Sequence, residues 1–101
     1  MEKIVLPVID MQRTGMNIAR LRRQRGLSVR QLQACFGFEY PQAIYKWQHG
    51  ECLPSVENLL LLSRLLQVPM EELLVYEDRE LPAVLAQRLT EGARVFYNEA
   101  A

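Results

Sequence analysis

Apolar positions recur along the chain at the three- and four-residue spacing of amphipathic helices, and glycine or proline punctuates the runs. Ile18 and Leu21 lie three apart in a run predicted to be helical from Thr14 or Gly15 to about Gln24, with Gly26 as its stop. Arg20, Arg22, Arg23 and Arg25 fill the other faces. Ser28 suits an N-cap, and Gln31 three residues on completes a capping box for a second helix ending at Phe36, before Gly37. Leu32 and Phe36 form its i, i+4 apolar pair. A third helix opens at Pro41, whose missing N–H costs nothing at the first helical position. It runs to about His49 and is closed by Gly50. Ile44 and Trp47 face one side of it; Gln42, Tyr45, Lys46 and His49 face the other. Ser55 caps a fourth helix through Leu66, with Leu59, Leu62, Leu65 and Leu66 as its buried face, and Pro69 precedes a short fifth helix from Met70 to Leu74. Short helices joined by tight turns define an all-α bundle.

Two flanks complete the pattern. Ile4 to Ile9 reads as one short strand, and Pro7 restricts it to a sheet edge. Pairing of this segment with its own copy across a dimer is one reading. Leu81, Val84, Leu85, Leu89 and Phe96 form the stripe of a sixth, amphipathic helix, which Gly92 weakens by about 1 kcal/mol relative to alanine. That stripe either folds back onto its own domain or pairs with a second copy. The expected division is an N-terminal arm over residues 1–13, a helical domain over 14–76 and a C-terminal helix within 77–101.

Composition narrows the classes. A chain of 101 residues, half of them hydrophobic, is sized for one core. No apolar run approaches the roughly 18 residues of a membrane span, and Ile4–Ile9 is too short for a signal-peptide core. A cytoplasmic protein without membrane contact is expected. Two cysteines, Cys35 and Cys52, and one histidine are too few for a zinc site. Two buried or half-buried thiols are expected, with no disulfide. With one histidine, no nucleophile–base constellation and no glycine-rich phosphate loop, neither an enzyme nor a cofactor is expected.

The net charge of zero hides an asymmetry. Residues 1–50 hold eight Lys/Arg against three Asp/Glu, a net of +5, and residues 51–101 hold four against nine, a net of −5. Between Met11 and Phe38 there are six arginines and no acid. Such a half suits a polyanion, and its acidic counterpart suits solvent or a protein partner.

The series Asn17-Ile18-Ala19-Arg20-Leu21-Arg22, Gly26-Leu27-Ser28, Leu32, Phe36-Gly37, Ala43-Ile44-Tyr45-Lys46-Trp47, Gly50, Leu53-Pro54-Ser55, Leu59, Leu65, Val68-Pro69 and Leu73-Leu74 resembles the Cro/phage-repressor (XRE-like) helix-turn-helix family. The resemblance implies a five-helix lambda-repressor-like bundle, here with an extra C-terminal helix and a short N-terminal arm. It implies sequence-specific binding of double-stranded DNA in bacterial or phage transcriptional control, usually as a homodimer, with the third helix in the major groove. Base edges there differ in donors, acceptors and methyl groups. Gln42 then suits adenine, Lys46 guanine, Tyr45 a thymine methyl or a phosphate, and Ala43 a methyl at the rim. Ser28, Arg30, Gln31 and His49 hold positions where the family meets phosphates, and Arg20, Arg22 and Arg23 are further phosphate candidates. Phosphate contacts fix register without selecting sequence. The alternative is an antitoxin or interaction module whose acidic half binds a protein.

The chain also departs from the family pattern. The turn Gly37-Phe38-Glu39-Tyr40-Pro41 is about one residue longer, and Gln33 stands where the family favours a small residue. A larger side chain and a longer turn compensate one another in this reading, at the cost of a displaced third helix. Val29 replaces a common Gln, and Gln48 replaces a Glu that usually pairs with the equivalent of Arg22. Arg22 is left either free for phosphate or bonded to neutral Gln48.

Overall fold

The computed structural model describes residues 3–100, with side chains described from 3 to 91. The elements run β1 (Val5–Ile9), α1 (Met11–Gln24), α2 (Val29–Phe36), α3 (Gln42–Gln48), α4 (Val56–Leu66), α5 (Met70–Leu73), β2 (Tyr76–Glu80) and α6 (Ala83–Ala100). They divide into two compact units. One is Ile9–Tyr76; the other takes the chain up to Val8 and from Glu77 onwards.

The helical unit is built on the anticipated pattern. Ile18, Leu21, Leu32, Ile44, Trp47, Leu59, Leu62, Leu66 and Leu73 make one buried cluster drawn from all five of its helices. Ser28 Oγ accepts from the Gln31 N–H at 3.0 Å while Gln31 Oε1 accepts from the Ser28 N–H at 2.8 Å, which completes the capping box. Ser55 Oγ accepts from the Asn58 N–H at 3.2 Å and starts α4. Two helix starts differ from expectation. α1 begins three residues earlier than Thr14, because the Asp10 carboxylate accepts from the Arg13 N–H at 2.9 Å and serves as N-cap. Pro41 is the N-cap of α3 and supplies no side-chain bond; its carbonyl accepts the first helical bond, from the Tyr45 N–H at 3.2 Å.

Polar side chains of α1 and of its C-cap, Arg25, bond to the main chain of other segments. Thr14, fully buried, donates from Oγ1 to the Val75 carbonyl at 3.3 Å and accepts from the Val75 N–H at 2.9 Å. Asn17 Nδ2 donates to the carbonyls of Glu72 and Leu73 at the end of α5, at 2.7 and 3.1 Å. Arg25 Nε donates to the Leu66 carbonyl at the end of α4, at 2.9 Å. Carbonyls in the last turn of a helix lack intrahelical partners, so the Asn17 and Arg25 bonds satisfy groups that would otherwise need water.

The other unit corrects three expectations. The fold is mostly helical and not purely so: β1 pairs with β2 in a two-stranded sheet. The pairing is antiparallel, with the Leu81 N–H donating to the Ile4 carbonyl at 2.9 Å. β1 therefore has a partner within its own chain, and its ladder edge toward β2 is not free to pair across a dimer. Tyr76-Glu-Asp-Arg-Glu carries no apolar alternation, which is why β2 escaped a reading based on period. Leu81 precedes α6 instead of lying in it. On that helix Val84, Leu85 and Leu89 are exposed and Ala86 is buried. The Gly92 and Phe96 side chains of the anticipated stripe lie outside the described residues. In the helical unit Cys35 and Cys52 are both exposed, not buried or half-buried: Cys35 falls off the Leu32–Phe36 stripe of α2, and Cys52 lies in the loop before α4.

Where α1 crosses α3, Gly15 has no room for a side chain. A Cβ there would lie 2.6 Å from the Gln48 carbonyl oxygen and closer still to that of Trp47. Both obstacles are backbone, so neither can rotate away. Gly15→Ala would gain about 1 kcal/mol of helix propensity and lose about 2–3 kcal/mol to overpacking, the upper end of the usual range, because main chain cannot yield. A net loss of stability of about 1–2 kcal/mol is expected in urea unfolding followed by Trp47 fluorescence. An unchanged or raised midpoint would show that the two helices are free to part.

Candidate nucleic-acid interface

Arg30 of α2 and Tyr45 of α3 line one cleft between the two helices. On α3 the exposed residues are Gln42, Tyr45, Lys46 and, at its C-terminal end, His49. Offsets of 0, 3, 4 and 7 put them along one stripe of a helix. Ile44 and Trp47 occupy the opposite stripe and are buried. Ala43 is half-buried and packs against the core, at the edge of the exposed stripe. The Tyr45 and His49 rings stack with centroids 6.1 Å apart, which joins the middle of the stripe to its end.

At the start of α2, the capping box occupies the acceptor oxygens of both Ser28 and Gln31. The Ser28 hydroxyl proton and the Gln31 amide protons remain as donors, the polarity an anion requires. Arg30 beside them is exposed. The unpaired N–H groups of a helix start favour the same charge.

A basic cleft of about 580 Å³ lies along α1 and the end of α3. Arg13, Arg20, Arg23, Gln48 and His49 line it. Among the described residues the one ion pair is Arg13 with Asp10, at 3.7 Å. Arg20 donates to Asn17 Oδ1 at 2.6 Å and is exposed. Arg13 was not among the phosphate candidates. Its spacing from Arg20 and Arg23, seven and ten residues, places all three on one helix face, and that period was available in the sequence.

Arg22 is a correction. It is 8% exposed. Its Nε donates to Gln48 Oε1 at 2.9 Å and its Nη1 to the Leu27 carbonyl at 2.8 Å. Of the two readings open to it, bonding to Gln48 is the one realised. Its guanidinium ties α1 to the end of α3 and to the loop before α2, which removes it from the phosphate set.

The longer turn is held by Gln33. Its Nε2 donates to the carbonyls of Phe38 and Glu39 at 3.2 and 3.1 Å. Gly37 opens the turn in the left-handed region, with φ of 69°, which other residues adopt at a cost. Phe38 stacks on Phe36 at 5.1 Å, and both rings meet the edge or face of Trp47 at 5.9 and 5.5 Å. Of the two aromatic partners of Trp47, Phe36 ends α2 and Phe38 comes from the turn that departs from the family pattern.

These features define a helix-turn-helix domain. Comparison with protein families bears this out: the helix-turn-helix model matches residues 18–73, more than half of the chain. The chain belongs to the XRE-type helix-turn-helix family, a class of DNA-binding transcriptional regulators. Among solved structures it is similar to the restriction-modification controller protein C.AhdI from Aeromonas hydrophila. That match has 26% identity and a TM-score of 0.57, over 63% of this chain and 96% of the other. The DNA-binding domain of BldD matches at 23% identity and a TM-score of 0.55, over 64% of this chain and 93% of that one. The S. venezulae BldD domain gives the same identity and score over 96% of its length. At 23% these last two show the fold alone. Comparison with the curated proteins found no match. Among the described residues no helix is long and apolar enough to cross a membrane.

Arg22 and Arg23 are adjacent in sequence and differ in burial, so their substitutions should separate. Arg22→Met should cost about 2–4 kcal/mol, because two bonds are lost and their half-buried acceptors are left unpaired. Arg23→Met, at an exposed site, should stay within about 0.5 kcal/mol. Equal losses in chemical unfolding would contradict the assignment of Arg22 as a buried tie.

Proposed function

We propose that this protein binds specific double-stranded DNA sequences and regulates transcription, with α3 as the recognition helix in the major groove. The single observation that carries the reading is the exposed polar stripe of α3, backed by a buried apolar stripe that fixes its orientation. In this reading Gln42, Tyr45 and Lys46 meet base edges and Ala43 meets a methyl at the rim. Ser28, Arg30, Gln31 and His49 hold phosphates on either side, and Arg20 and Arg23 extend that track along α1. The likeness to a restriction-modification controller protein supports a regulatory role, which in this reading is exercised in a bacterial or phage cytoplasm.

The protein acts as a homodimer in this proposal, so that two copies of α3 reach successive major grooves about 34–36 Å apart. Val84, Leu85 and Leu89, exposed on α6, are apolar surface available to a second copy. That surface, together with the exposed acids Glu77, Asp78 and Glu80 of β2, favours a second reading, an antitoxin-like module that holds another protein. Analytical ultracentrifugation of the purified chain separates them: a stable dimer supports the first, and a monomer that co-purifies with one stoichiometric partner supports the second.

Selection from a random duplex library, followed by anisotropy titration, tests DNA binding itself. Selective binding that weakens steeply with salt is expected, because phosphate contacts release counterions. Gln42→Ala and Lys46→Ala should each cost about 1–3 kcal/mol on the selected site and relax the base preference at one position. Arg30→Ala and Arg23→Ala should weaken all sequences alike and reduce the salt slope by about 1 each. Absence of any sequence preference would overturn the reading.

A further inference from the structure

We propose that Gln33 is a positioning residue for DNA sequence recognition: it sets where the N-terminal end of α3 enters the groove without touching DNA. The inference rests on the DNA-binding reading above and deepens it.

The two ends of α3 are held by different means. At the C-terminal end the backbone of Trp47 and Gln48 lies against Gly15, and Arg22 bonds Gln48 at 2.9 Å. At the N-terminal end no side chain caps the helix, since Pro41 offers no side-chain hydrogen bond. Ala43 packs against the core, but Gln42 is exposed, so its position depends on the five-residue turn that delivers it. Within that turn Glu39 and Tyr40 are exposed, Tyr40 at 62%, so packing does little to fix them. A cleft of about 600 Å³ borders the turn between α2 and α3, lined by Arg30, Gln33, Phe38, Pro41 and Tyr45 among others. Both carbonyls of the Phe38–Glu39 step are held by one carboxamide, that of Gln33.

The balance of effects follows from exposure. The Glu39 bond is exposed and the Phe38 bond only part-buried, so water can reach both carbonyls and the fold tolerates the change. Water does not restore the geometry. A Gln33 amide that spans two successive carbonyls restricts the path of the turn, and a hydrated turn samples several. Recognition needs base-edge donors placed within a fraction of an ångström, whereas phosphate attraction is long-ranged and forgiving. Loss of Gln33 is therefore read in specificity, at the bases served by Gln42, and not at those served by Lys46 one helical turn on.

The test uses the full chain with Gln33→Met, which keeps the length and removes both donors, and Gln33→Ala, which adds no steric demand. Each is titrated against the duplex selected by the wild-type protein and against a scrambled duplex, and each is put through the same library selection. The expected result is a loss of about tenfold on the selected duplex, the effect of one weakened base contact. Binding to the scrambled duplex should change less than about threefold, since its phosphate contacts remain. The relaxed base positions should coincide with those relaxed by Gln42→Ala. Parallel losses on both duplexes, unchanged affinity, relaxation at the Lys46 positions, or failure of both variants to fold would each overturn the assignment. If the wild-type protein selects no sequence, the DNA-binding reading itself fails; if it does and the variants match it, only the role of Gln33 fails.

Discussion

The architecture depends on one close approach, that of α1 to the end of α3 at Gly15. Because a Cβ there would meet two backbone carbonyls, the helices touch through main chain, and their separation is set by the absence of a side chain. Trp47 is thereby brought into the core with Ile18, Ile44 and the α4 leucines, and the opposite stripe of α3 must face outward. The orientation of the candidate reading face is thus a consequence of core packing, and the polar residues on it have no structural duty there.

The same helix α1 organises the rest of its unit by polar means. Thr14, Asn17, Arg22 and Arg25 each bond to main chain or to a side chain of another segment. Two arginines of the basic run are consumed in this way. Arg20, Arg23 and Arg13 remain at the surface beside His49. A stretch with six arginines and no acid therefore serves two purposes: some of its guanidinium groups replace missing hydrogen-bond partners, and the others keep the surface positive.

Legibility in the sequence followed the strength of local signals. The capping box at Ser28–Gln31 and the caps at Ser55 and Gly37 mark helix ends by bonds within a few residues, and these were found where expected. Ile44 and Trp47 announced their burial by spacing. β2 was invisible because its five residues carry no alternation and its existence depends on a partner some seventy residues away. The start of α1 was missed because the Asp10 cap lies among residues that read as an extended arm. Arg22 looked like its neighbours until burial distinguished them. Gln33 and the long turn were legible as departures and as a compensating pair. The bonds that make them one feature required knowing where the Phe38 and Glu39 carbonyls point.

The most direct test of this account is a nuclear magnetic resonance titration of the labelled protein with its selected duplex. The account predicts the largest amide shifts at 28–31 and 42–49, with the Trp47 indole and Gly15 nearly unmoved, because the core presents α3 without rearranging. Shifts confined to Val5–Val8 and Val84–Leu89, with α3 unchanged, would contradict it.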